Sequence, residues 1–114
     1  MTSLPLIAVT PSPPYYAVIF TSLRTDTGVE DYTAMTAAMV ELAAIQPGFL
    51  GIESAREGLG ITVSYWENLD AITAWKRNAA HQVAQKRGRE EWYSAFRLRI
   101  CKVERDYGHQ DRPA

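Results

Sequence analysis

The chain has 114 residues, 46% of them hydrophobic and 22% charged, which excludes two full domains and an intrinsically disordered chain. The 12 Lys and Arg residues nearly balance the 13 Asp and Glu residues, giving a formal net charge of −1. Because this balance provides no positive field to gather nucleic acid or an anionic membrane, we expect a single packed domain with neither partner.

Cysteine usage and the N-terminal segment indicate the compartment. Cys101 is the single cysteine in the sequence, so no intramolecular disulfide can form and a reducing environment fits best. The apolar start is interrupted by Pro5 and lacks a preceding basic residue, unlike a secretory signal. No later stretch reaches the roughly 20 apolar residues that span a bilayer. We therefore predict a cytoplasmic protein.

Three prolines, Pro11, Pro13 and Pro14, lie close together near the start of the chain. Proline cannot continue a helix or donate to a sheet ladder. The sequence therefore predicts an extended N-terminal arm over 1–14, a domain over 15–107 and a polar C-terminal tail over 108–114.

The first half of the domain predicts a strand followed by a helix. The run YYAVIFTSL over 15–23 is aromatic and β-branched, which is typical of a strand buried on both faces. Tyr32, Met35, Met39 and Leu42 then recur at helical spacing. The Gln-Pro-Gly sequence at 46–48 ends this helix.

The second half predicts two strands, a helix and a last strand. Residues 49–56 and 59–66 form antiparallel strands around a tight turn. Asn68 caps a helix that carries Ile72 and Trp75. The apolar pattern continues less regularly to Gly88, which indicates either a break or a second short helix near Asn78.

The final predicted strand, 95–103, alternates apolar and polar residues. Arg97 and Arg99 share one of its faces, which we expect to be covered. Covered guanidinium groups need carboxylate partners or a polar pocket, and Glu53 and Glu104 are the candidate carboxylates.

The predicted order of strand, helix, strand, strand, helix, strand is that of the ferredoxin-like split βαβ fold. In this α+β fold two helices cover one face of a four-stranded antiparallel sheet. The strands are apolar at nearly every position, so the other face would expose a large apolar patch. The sequence therefore predicts a homodimer formed through the sheets.

Motifs for several kinds of chemistry are missing from the sequence. His81 and His109 are 28 positions apart and no cysteine pair occurs, so no metal site is predicted. Gly58 and Gly60 bracket a hairpin rather than precede a helix, which does not fit a nucleotide-binding loop. No GxSxG sequence marks a hydrolase.

Five short motifs resemble the antibiotic biosynthesis monooxygenase family, including its small members related to haem-degrading monooxygenases. They are QPGFLG at 46–51, SYWEN at 64–68, AWKRNAAH at 74–81, GREEWY at 88–93 and VER at 103–105. The resemblance implies a dimeric α+β barrel with one pocket per subunit between the helices and the sheet. The family includes two kinds of oxidoreductase, quinone-forming oxygenases that need no cofactor and haem degraders, and also many members without known activity.

Trp75 and His81 are the candidate catalytic residues. The resemblance implies that Trp75 faces the pocket, since haem-degrading relatives carry a tryptophan at the matching place. The alternative is core packing, the more common role of a lone aromatic residue on a helix face. His81 is the one side chain of the domain that titrates near neutral pH, although a surface histidine remains the alternative. The histidine of the haem degraders follows the tryptophan by ten residues, whereas here the separation is six. Strand one also lacks their asparagine.

These departures favour a monooxygenase that oxidises an aromatic or polyketide-like small molecule with O2, without a metal or nucleotide cofactor. Haem is the alternative cofactor, and a non-catalytic dimeric binding protein is the third hypothesis. The residues expected to contact the substrate are Phe20, Tyr32, Met35, Tyr65 and Trp66. Core and dimer packing would use the same aromatic residues.

Overall fold

A computed structural model describes residues 4–26, 29–78 and 92–109, and within the first helix it describes side chains from Thr33 onward. The elements in chain order are β1 (Tyr15–Arg24), α1 (Val29–Ala44), β2 (Phe49–Glu57), β3 (Leu59–Trp66), α2 (Leu69–Arg77) and β4 (Tyr93–Val103). The predicted α+β order is confirmed. The continuation predicted beyond Asn78 lies outside the described residues.

The four strands form one antiparallel sheet in the order β2-β3-β1-β4. The central strands are β1 and β3, and their register pairs Tyr16 with Trp66 and Leu23 with Leu59. The edge strands are β2 and β4. This is the strand order of the ferredoxin-like fold, in which each crossover helix returns the chain to the sheet.

Side chains alternate between the two faces of the sheet, and both helices pack on the face that includes Val18 and Trp66. Trp66 and Ile72 are almost fully buried there, beside Ala43 of α1 and Trp75 of α2. We call this the helix face. The opposite face, with Ile19 and Val63, is the open face.

Two local features set the position of α2 against the sheet. The Asn68 side chain accepts a hydrogen bond from the Ala71 amide at 2.8 Å, so it caps α2 as predicted. Gly48 has a φ of +84°, and a Cβ at this position would lie 2.6 Å from the Cβ of Ala71. Glycine is therefore required where the loop before β2 passes the first turn of α2.

The structure does not pair the β4 arginines with Glu53 inside one chain. Arg97 and Arg99 are exposed on the edge strand β4, and the covering of their face stays a prediction. Glu53 lies on β2 at the other edge, about 14 Å away across three strand spacings. Its carboxylate accepts hydrogen bonds from the Ala8 amide at 2.9 Å and the Tyr65 hydroxyl at 2.7 Å.

The N-terminal residues 4–14 contain neither helix nor strand and cross one end of the open face. A Cβ on Gly51 would lie 2.7 Å from the Cβ of Ala8, so the arm lies directly against β2 at this glycine.

Neither of the described helices is long and apolar enough to cross a membrane.

Candidate functional site

A cavity of about 200 Å³ lies between the helix face of the sheet and the two helices. The sheet contributes alternate residues of its strands, because only every second side chain points toward the helices. The described lining is mainly apolar and includes Val18, Phe20, Met35, Met39, Ile52, Thr62, Ser64, Trp66, Ile72, Trp75, Lys76, Tyr93, Phe96, Leu98 and Ile100.

Two tryptophans form one wall of this cavity. Trp66 ends β3 and Trp75 lies in α2, and their rings are stacked with centroids 5.9 Å apart and planes inclined by 27°. Phe49 meets Trp66 edge-on at 5.5 Å. Because Trp66 is held on two sides by aromatic rings, the wall has a defined orientation.

A hydroxyl group is held beside the indole wall. The Ser64 Oγ accepts a hydrogen bond from the Trp66 Nε1 at 2.9 Å. A hydroxyl is both donor and acceptor, so the hydrogen of Ser64 can be donated to a molecule in the cavity. Thr62 lines the same space two residues earlier on β3, and the exposed Lys76 stands at the rim.

The cavity reaches the surface along β4. Phe96, Leu98 and Ile100 line it and are 37%, 37% and 48% exposed. Phe20 lies deeper, with ring centroids 5.2 Å from Tyr93 and 5.6 Å from Phe96. The aromatic rings therefore continue from the mouth of the cavity toward its interior.

A second pocket, of about 220 Å³, lies on the open face beneath the N-terminal arm. Tyr65 donates to Glu53 here, and the Tyr15 hydroxyl donates to Asp106. The Thr10 hydroxyl donates a hydrogen bond to the Tyr15 hydroxyl at 3.0 Å. Burial, together with the hydrogen bond to Glu53, raises the pKa of Tyr65 well above its ordinary value. This network fastens the arm to the sheet.

A family model described as antibiotic biosynthesis monooxygenase matches residues 14–87, from the start of the sheet through α2. The chain belongs to the antibiotic biosynthesis monooxygenase family. A family relative from Bacillus subtilis strain 168, described as uncharacterized protein YqjZ, is 52% identical over 103 residues. The matched region spans 87% of this chain and 88% of the relative.

Solved structures show the same fold. SnoaB from Streptomyces nogalater, described as a cofactor-independent oxygenase, is similar with a TM-score of 0.71 and 12% identity, covering 85% of this chain and 100% of SnoaB. Rv0793 from Mycobacterium tuberculosis has a TM-score of 0.73 and 10% identity, covering 82% of this chain and 99% of Rv0793. At these identities the likeness shows the family fold alone.

The structure brings four of the predicted site residues together in the cavity: Phe20, Met35, Trp66 and Trp75. Tyr65 is not among them, because neighbouring strand residues point to opposite faces. Its ring faces Tyr15 in the second pocket instead, at 5.8 Å.

The other two predictions lie outside what the structure describes. His81 is not among the described residues, and Tyr32 is in α1 at a position whose side chain is not described. Their assignment to the site stays a prediction.

Several cavity residues were not predicted to belong to the site. Val18 is two residues from Phe20 on β1, and Phe96, Leu98 and Ile100 alternate along β4. Strand alternation was the available signal, since residues two apart share a face.

Among the described residues, no group of three or more His, Cys, Asp or Glu residues is arranged to hold a metal ion.

Proposed function

We propose that this protein is a dimeric monooxygenase that oxidises a small aromatic molecule with O2, using no metal or nucleotide cofactor. The observation that carries the proposal is the cavity on the helix face, with Trp66 and Trp75 stacked in its wall and Phe20 within it. Flat apolar walls favour an aromatic ring over a polar metabolite.

The size of the cavity limits the substrate. An apolar cavity of roughly 150 Å³ is large enough to bind benzene, and this one measures about 200 Å³. It therefore accommodates one substituted ring within the described walls. A longer ring system would extend outward past Leu98 and Ile100, which are partly exposed at the mouth.

A phenol oxidised to a para-quinone is a reaction that balances without an added reductant. One ring C–H bond is replaced by C=O, the phenolic O–H is lost, and the second oxygen atom leaves as water. All four electrons that reduce O2 come from the substrate. The phenolate donates an electron to O2 far more readily than the phenol, so the protein needs a proton acceptor and a group that positions the phenolate oxygen.

Two side chains are assigned to these tasks. Ser64 is oriented by the Trp66 indole and supplies a hydroxyl donor for the substrate oxygen. His81 is the proton acceptor, an assignment that rests on the sequence, where it is the one near-neutral titrating side chain of the domain. Cofactor-free chemistry is further supported by SnoaB, which shares the fold and is described as a cofactor-independent oxygenase.

The dimer part of the proposal rests on the open face. Leu23, Leu59 and Ile61 are 45%, 48% and 42% exposed on adjacent central strands. Monomeric proteins rarely expose large contiguous apolar patches, and a second copy covers the same patch on both subunits. The free thiol of Cys101 supports a cytoplasmic location for the protein.

The test is oxygen consumption by chelator-treated protein supplied with a panel of one- and two-ring phenols. We expect oxygen uptake without added metal, haem or nicotinamide, and a lower rate of uptake by the Trp75→Phe variant. Phenol binding without oxygen uptake would contradict it and favour the non-catalytic binding protein. Activity that appears only with added haem, together with a Soret band, would favour the haem-degrading alternative.

A further inference from the structure

The open face carries an uneven distribution of charge across its four strands. Within the strands, its acidic residues lie on β2, its basic residues on β4, and apolar or neutral residues lie between them. By strand, the side chains are Glu53, Ala55 and Glu57 on β2; Leu59, Ile61 and Val63 on β3; Ile19, Thr21 and Leu23 on β1; and Ala95, Arg97 and Arg99 on β4.

The strand register aligns these residues in rows across the sheet. One row contains Glu53, Val63, Ile19 and Arg99, and the next contains Ala55, Ile61, Thr21 and Arg97. Each row ends on a basic residue at β4. The acidic and basic edges are separated by about 14 Å, three strand spacings.

A second copy can cover this face with the two-fold axis in either of two directions. An axis parallel to the strands places β4 of one subunit over β2 of the other, so basic residues face acidic ones. An axis that is perpendicular to the strands but still lies in the plane between the two sheets places β4 over β4 and β2 over β2, so like charges face each other. Like charges across an interface are disfavoured by several kcal/mol.

We infer that the two-fold axis of the dimer runs parallel to the strands, and that Arg97 of each subunit pairs with Glu57 of the partner subunit. This inference rests on the dimer proposed above. The central strands then also bring apolar residues together. The exposed Leu23 and Leu59 lie in one row, so Leu23 of each subunit faces Leu59 of the partner subunit.

Arg97 and Glu57 are the suitable pair because both are exposed and both lie away from the N-terminal arm. In this arrangement Arg97 stands opposite the Ala55 position, one pleat or about 7 Å along β2 from Glu57. An arginine side chain covers that distance. Glu53 is less suitable because its carboxylate already binds the Ala8 amide and Tyr65.

The test measures the dimer dissociation constant by sedimentation for Arg97→Glu and Glu57→Arg. Each substitution makes two like-charged pairs in a dimer, so we expect the dissociation constant to rise at least about tenfold, with a smaller effect at high salt. Arg77→Glu is the matched control, because it makes the same change of charge at an exposed position on α2.

The weakening of the single variants distinguishes the two axis directions, and mixing the two variants tests whether the lost attraction is restored. In a mixed dimer of Arg97→Glu and Glu57→Arg subunits, one pair is native and the other is reversed, so both pairs attract. We therefore expect the mixture, and the double variant E57R/R97E alone, to return to within about threefold of the unchanged protein. Circular dichroism on each diluted variant checks that the fold is unchanged.

Two results would overturn the inference. If the dimer forms but each single variant behaves like Arg77→Glu, the axis is not parallel to the strands, while the dimer itself stands. If the unchanged protein is monomeric at every concentration, the dimer proposed above fails and the pairing fails with it. Weakened single variants that the mixture does not restore would also contradict the pairing.

Discussion

Trp66 and Trp75 contact each other through stacked rings 5.9 Å apart, yet they differ in their surroundings. Trp66 is fully buried, is held by Phe49 and donates its indole hydrogen to Ser64. Trp75 is 8% exposed and lies in α2. The pair therefore joins the core to the cavity wall, and substitutions at the two positions should have different consequences.

Replacing Trp75 by Phe should weaken aromatic ligand binding more than it weakens the fold. A smaller ring leaves a limited void, which costs about 1–2 kcal/mol of stability. The lost ring contact with a ligand is worth about 1 kcal/mol, or roughly fivefold in binding. Calorimetric titration with a phenol, alongside urea unfolding, measures both effects.

Leu42→Ala is the matched control for this prediction. Leu42 of α1 packs against the core cluster from outside the described cavity lining, so its substitution should lower stability and leave the phenol affinity unchanged. Equal binding by Trp75→Phe and the unchanged protein would assign Trp75 to core packing alone.

Ser64→Ala should destabilise the protein although it removes only one oxygen atom. The Trp66 indole N–H would lose its acceptor inside the core, which costs about 1–3 kcal/mol. Thr62→Val, a substitution of nearly equal volume at another cavity position, is the control. Comparable urea midpoints for the two variants would show that the Ser64 hydrogen bond contributes little.

The stability of the protein should fall in alkaline solution, in part because of Tyr65. Its pKa is raised in the folded state by burial and by Glu53, whereas in the unfolded chain the phenol ionises near pH 10. Only the unfolded state then loses this proton as the pH rises above about 10, so the free energy of unfolding decreases there. Below that pH the contribution of Tyr65 is fully present.

Tyr65→Phe removes this contribution. The variant should be less stable than the unchanged protein at about pH 8, where the bond to Glu53 is intact, and the difference should narrow above about pH 10. Urea unfolding at several pH values measures it, with Tyr107→Phe as the control at a 99% exposed position. A constant difference at all pH values would refute the account of Tyr65.

Much of the fold could be predicted from the sequence, because local patterns determine it. The bounds of β3, the Asn68 cap and the turn at Gly48 follow from β-formers, helix capping and backbone conformation. The helix break near Asn78 agrees with the end of α2 at Arg77. The position of β4 at the sheet edge, opposite β2, has no such local signal, which is why Glu53 was wrongly predicted as a partner of Arg97 and Arg99.

The site was predictable only in part, for a related reason. Phe20, Met35, Trp66 and Trp75 lie at apolar positions whose periodicity points toward the helix face. Tyr65 is adjacent to Trp66 in sequence, but alternation sends it to the opposite face. The sequence also gave no indication that the arm would bond to Glu53, since that contact joins residues 45 positions apart.

His81→Ala tests the proposed proton acceptor. If His81 removes the phenolic proton, the variant should turn over an accepted phenol about 10²–10⁴-fold more slowly, with little change in binding. The rate should also lose its dependence on a group that titrates near pH 6.5. His109→Ala, in the C-terminal tail, is the control. A full rate with an unchanged pH profile would exclude His81 as the base.

Oxygen-18 labelling of the product shows whether the protein transfers an oxygen atom from O2 to a phenol. Chelator-treated protein is supplied with labelled O2 and a phenol that binds in the cavity, and the product is analysed by mass spectrometry. We expect a quinone that carries one labelled oxygen atom, with one O2 consumed per quinone and no added reductant. A phenol that binds and is recovered unchanged, or a quinone whose new oxygen comes from water, would contradict it.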